Sequence, residues 1–116
     1  MRDILKQLNS ECGASGSMVI TPDGIMVAAV MSNEYEEDSM AAFISSLLLT
    51  LKRSLKRFGV SGDMNSCTLS ATLSRIQFFN MQNSYLVVVN PPGLKQPEKA
   101  GAIQSAVKRI MNRRFA

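Results

Sequence analysis

The feature that most constrains this chain is one long amphipathic stretch, EEDSMAAFISSLLLTLKRSLKRFG, over residues 36–59. Met40, Phe43, Ile44, Leu47, Leu51, Leu55 and Phe58 recur at three- and four-residue steps. That spacing sets them on one stripe of a helix of about six turns. Asn33, three residues ahead of Glu36, completes a capping-box pattern at its start. Glu36, Glu37 and Asp38 crowd the positive end of the helix dipole, and Lys52, Arg53, Lys56 and Arg57 crowd the negative end. Gly59 is a natural stop, because glycine adopts the left-handed conformation that helix ends often need.

The opposite face of the helix is the more informative one. At about 100° per residue, Ala42, Ser45, Ser46 and Leu49 lie roughly behind the main stripe. A solvated face ordinarily carries long charged residues along its whole length. Here the first half is small and holds one large apolar residue, Leu49. Two readings fit: a poorly charged face in water, or a helix covered on one side by its own sheet and on the other by a second subunit.

At 116 residues the chain has the size of one domain, residues 1–116, large enough to build a core without metals or disulfides. With 46% apolar and 19% charged residues it is globular in composition. No apolar run reaches the roughly 18 residues that span a bilayer. The opening MRDILKQLNSEC carries acids within a helical period and does not read as a signal peptide, which points to the cytoplasm. Cys12 and Cys67 form no CxxC pair and there is no histidine, so a zinc site and Ser-His-Asp or Cys-His chemistry are not expected. No catalytic residue, cofactor or metal is therefore assigned. Asp23 is a turn residue rather than a base.

Charge is unevenly placed. Residues 1–51 net −5 and residues 52–116 net +9. The asymmetry marks either a surface for acidic partners or ordinary charging of helix ends.

In chain order, residues 1–12 read as a short helix with Met1, Leu5, Leu8 and Cys12 on one face and Gly13 as its end. Residues 17–21 and 25–31 read as strands joined through Pro22, Asp23 and Gly24 in an antiparallel hairpin. Both strands are apolar on both faces, which implies layers on both sides of the sheet. After Gly59, residues 66–73 alternate: Cys67, Leu69, Ala71 and Leu73 against Ser66, Thr68, Ser70 and Thr72. A turn at Ser74 and Arg75 leads to a strand over residues 76–81, and a turn at 82–84 leads to YLVVV. That continuous apolar run predicts the central strand, and the Ser/Thr strand predicts an edge with little to stop it pairing. A proline-rich loop precedes a last helix over residues 98–115, with Ile103, Ala106, Val107, Ile110 and Met111 on one side and Lys108, Arg109 and Arg113 on the other. The order predicts an α+β domain: a five-stranded antiparallel sheet between one long helix and two terminal helices.

The hairpin SMVITPDGIMVAA, the acidic helix start with Ala41, Ala42 and Phe43, and the late stretch RIQFFNMQNSYLVVVN resemble the roadblock/dynein light chain family over nearly the whole chain. The resemblance implies a profilin-like architecture, a homodimer formed by antiparallel long helices and paired third strands, and partnership with a Ras-like small GTPase. On that analogy Ala42, Ser45, Ser46 and Leu49, with Ser66, Thr68, Ser70 and Thr72, form the dimer interface. Glu34, Glu36, Glu37 and Asp38, and Lys52, Arg53, Lys56 and Arg57, are candidate partner-docking surfaces. The alternative is an adaptor whose basic C-terminal helix binds anionic membrane or nucleic acid. Phe78 and Phe79, being adjacent, face opposite sides of a strand and offer no stacking platform for bases.

Overall fold

The computed structural model describes residues 1–32, 36–60, 64–72, 74–90 and 100–115. Its elements run α1 (Arg2–Cys12), β1 (Gly16–Ile20), β2 (Met26–Met31), α2 (Glu37–Arg57), β3 (Ser66–Ser70), β4 (Arg75–Asn80), β5 (Tyr85–Asn90) and α3 (Ala100–Phe115). The five strands form one antiparallel sheet in the order β2-β1-β5-β4-β3. The YLVVV run is its central strand and the Ser/Thr strand one of its edges.

Strand alternation sorts the core into two layers. Met18, Ile20, Phe78, Tyr85 and Val87 face Ala41, Ile44 and Leu48 of α2. Val19, Leu86 and Val88 face Ile4, Leu5 and Leu8 of α1 and Ile103, Ala106 and Ile110 of α3. Phe78 and Phe79 divide between the two layers as adjacent strand residues must. Side-chain bonds fasten the second layer. Arg2 Nη1 donates to the Ala29 carbonyl at 2.6 Å, Asn9 Nδ2 to the Val30 carbonyl at 3.0 Å, and Arg109 Nη1 to Gln7 Oε1 at 2.7 Å.

Local chemistry explains the punctuation. Thr21 and Ile25 close the hairpin: the Thr21 N–H donates to Ile25 O at 2.9 Å, and the Ile25 N–H donates to Thr21 Oγ1 at 3.0 Å. Pro22, Asp23 and Gly24 make the three-residue loop, with Gly24 at φ 90°, where a left-handed glycine is the favoured third residue. At the end of α2, the Gly59 N–H bonds Lys56 O and the Val60 N–H bonds Leu55 O, with Gly59 at φ 83°. This is a Schellman ending, and it satisfies carbonyls the helix leaves open. The turn before β5 uses a signal not read from sequence. Asn80 Oδ1 accepts from the Gln82 N–H at 2.7 Å and supports Gln82 at φ 75°.

Several sequence expectations shift. The helix cap is Glu36, without a side-chain capping bond, and Asn33 lies outside the described residues. The inner arc of α2 is centred on Ala41, Ile44 and Leu48, while Phe43 is 54% and Phe58 78% exposed. Small residues decide this: Ala41 shares its cluster with Ala29 of β2, so the helix settles on that side and turns the bulky Phe43 outward. Strand β3 stops at Ser70, because the Ala71 N–H turns to Ser74 O at 2.8 Å; Thr72 therefore sits in the turn, and Leu73 lies outside the described residues.

Three single substitutions test this packing by urea denaturation. Phe78→Ala, at a fully buried site under α2, lowers stability by about 3–5 kcal/mol, and Phe79→Ala, half-buried, by less. Gly24→Ala places a Cβ 2.6 Å from Ser45 Oγ at a positive φ, and costs about 1–3 kcal/mol. Adding Ser45→Gly recovers only the part due to contact, leaving the backbone part.

Candidate interaction surface

The outward side of α2 is built around small residues with large apolar ones beside them. Ala42 and Ser46 are exposed, and Phe43 and Leu49 stand to either side at 54% and 51% exposure. Two hydroxyls beside it bond within the helix: Ser45 Oγ donates to Ala42 O at 3.2 Å and Thr50 Oγ1 to Ser46 O at 3.0 Å. Those two add no free donor to the face. Ser45 does not belong at its centre. It is half-buried and packs toward Gly24 of the hairpin, because its position on the helix turns it partly back to the sheet.

The second unfinished feature is β3. It pairs with β4 on one side and ends the sheet on the other. An edge strand exposes main-chain donors and acceptors that another strand can use. Its register places Cys67 opposite Phe78 and Ser66 opposite Phe79. Cys67, and with it Leu69, thus share the α2 side, whereas Ser66, Thr68 and Ser70 point to the side of α1 and α3. All four of Ser66, Thr68, Ser70 and Thr72 are exposed.

The charged ends of α2 are open to solvent. Glu36 and Asp38 are exposed and Glu37 is half-exposed; Glu34 lies outside the described residues. Lys52, Arg53, Lys56 and Arg57 are exposed at the other end, and Lys52 Nζ sits 5.2 Å from the centre of the Tyr85 ring. That distance is within reach of a cation–π contact, which draws Lys52 back toward the sheet. Sequence reasoning missed Phe43, which it placed in the inner stripe. Ala41, at the centre of the observed inner arc, was the available signal.

Helix α3 spends its apolar side inside the protein, with Ile103, Ala106 and Ile110 buried against α1 and the sheet. Its outward side carries Lys108 and Arg109, the latter tied to Gln7. Among its described side chains, the large apolar ones pack toward the protein and the charged ones face outward. No helix among the described residues is long and apolar enough to cross a membrane. Among the described residues no group of three His, Cys, Asp or Glu side chains could hold a metal ion. Cys12 and Cys67 lie in different layers, on opposite sides of the sheet.

This architecture is shared with known structures. The Roadblock/LC7 domain from Streptomyces avermitilis superposes with a TM-score of 0.86 at 15% identity, covering 100% of this chain and 98% of that one. Myxococcus xanthus MglB gives 0.81 at 11% identity, with 95% and 84% covered. Acanthamoeba castellanii profilin II gives 0.60 at 10% identity, with 91% and 90% covered, so the fold is also profilin-like. No curated protein sequence matches the chain. At such identities the superpositions establish a fold, and the sequence itself supplies the rest: the Roadblock/LC7 domain pattern matches residues 2–90, from the start of α1 to the end of β5. With two thirds and more of its length matched in sequence and its whole architecture matched in space, this chain belongs to the Roadblock/LC7 family.

Proposed function

We propose that this chain is a non-catalytic homodimer that holds a Ras-like small GTPase and biases its switch loops, in the cytoplasm where such a partner works. One observation carries the reading: Phe43 and Leu49 are exposed around Ala42 and Ser46 on α2, while β3 ends the sheet with no strand on its outer edge among the described residues. A second copy completes both features at once, helix on helix and strand on strand. The proposed interface is Ala42, Phe43, Ser46 and Leu49, with Ser45 at its margin and the main chain from Ser66 through Ser70 to Thr72 alongside.

Charge favours one orientation. Antiparallel α2 helices set Glu36, Glu37 and Asp38 of one copy near Lys52, Arg53, Lys56 and Arg57 of the other, and a twofold axis makes the contact complementary to itself. Parallel helices would set like charge on like. In the antiparallel pair the charged ends form a rim around an apolar centre, and that rim is the proposed GTPase contact. The chain has no GxxxxGK[ST] loop, so the nucleotide belongs to the partner. Regulation then works through unequal affinity for the partner's nucleotide states. No arginine is assigned as a finger.

Sedimentation velocity tests the interface. Wild type sediments as a dimer at micromolar concentration. Leu49→Arg, with unchanged circular dichroism, sediments as a monomer, a loss of about 2 kcal/mol or more. A folded variant that stays dimeric rejects this face. Mixing wild type with small GTPases of the same genome, loaded with GDP or a GTP analogue, yields a complex that depends on the nucleotide. Absence of binding to any of them in either state rejects the GTPase reading.

A further inference from the structure

A groove of about 830 Å³ opens on the far side of the sheet from α2, between β4 and α3. We propose that it binds an extended acidic segment of a partner protein. The groove lies on the face of the sheet opposite the α2 surface proposed above for the homodimer.

The floor is Phe79 with Gln77 beside it, two residues apart on β4 and therefore on the same face. Gln77 is only 7% exposed. Its Oε1 accepts from Asn90 Nδ2 at 3.1 Å, which orients the amide and leaves Nε2 as the donor available to the groove. A half-buried phenyl ring next to a buried amide donor suits a peptide: an apolar side chain on the ring, a carbonyl on the N–H. The wall is one side of α3, where Gly101, Gln104 and Lys108 follow at helical steps. From Gly101 to Lys108 the helix rises about 10 Å at about 1.5 Å per residue. That length matches about three residues of extended chain at about 3.3 Å each, rather than a compact ion. Lys108 is exposed at the rim, and among the described residues no Asp or Glu lines the groove. The described lining therefore carries one positive charge and no negative one, and a carboxylate on the incoming segment pairs with Lys108.

The experiment uses the full chain and a fluorescein-labelled peptide ELELE, followed by fluorescence anisotropy and by amide shifts in NMR. The expected result is saturable binding with shifts confined to β4 and the first half of α3. Binding weakens about tenfold or more for the neutral peptide QLQLQ and for Lys108→Glu, the scale of one lost charge-assisted bond. Free glutamate competes poorly. The monomeric variant Leu49→Arg binds the peptide as wild type does, which separates this groove from the dimer interface. The proposal is overturned if ELELE shows no saturable binding up to about 1 mM. It is equally overturned if Lys108→Glu binds it as tightly as wild type, if shifts map to α2, or if free glutamate binds as well as the peptide.

Discussion

Strand β5 has almost no polar side to give. Every residue from Tyr85 to Asn90 is buried, with alternate side chains entering opposite layers. A strand apolar on both faces cannot sit at a solvated surface, so the chain must cover the sheet twice. Helix α2 provides one cover and the pair α1 and α3 the other. Burial of side chains such as Leu86 and Val87 is worth about 1.5–3 kcal/mol each against exposure, so leaving either layer off would cost more than a domain of this size can spare.

The length of α2 follows from the same sheet. Strands β2 and β3, which it connects, lie on opposite edges. Four strand spacings amount to about 19 Å. The 21 residues of α2 reach about 31 Å, enough to cross the sheet obliquely and return the chain to the far edge. A single helix crossing five strands covers them with a narrow arc. Among the described residues, no element packs on its other side. The exposure of Phe43 and Leu49 is thus a consequence of topology, and the same crossing puts β3 at an edge next to that exposed side. Both features supporting a second subunit arise from one connection.

The opposite side of the sheet is unfinished in a different way. Helices α1 and α3 pack against each other, with α1 over β1 and the edge strand β2, and a groove opens beside α3 over β4. Polar residues fill that margin: Ser66 and Thr68 lie across from Phe79 and Gln77 in the strand register. Carbon is offered on one side of the domain, and hydrogen-bonding groups with a positive rim on the other. Two surfaces of such different chemistry suit two different partners.

Much of this was legible in the residues. Periodicity set the identity and order of all eight elements, because side-chain direction alternates along a strand and recurs every three to four residues in a helix. The YLVVV run named the central strand, the Ser/Thr alternation named an edge, and Gly13, Gly24 and Gly59 marked a helix end, a turn and a second helix end through their positive φ. Periodicity alone fixes a helix face only to within about a residue, since neighbours lie about 100° apart. The choice between Phe43 and Ala41 for the inner arc was made by the cluster that α2 joins, which holds Ala41 with the small Ala29 of β2, residues brought together from separate segments. Likewise Ser45 was drawn toward the hairpin by Gly24, and the Ser/Thr row of β3 was assigned its face by pairing with β4. Local pattern determined which elements form; only packing between distant segments decided which side of each one is left for a partner, because exposure is a property of neighbours and not of the residue itself.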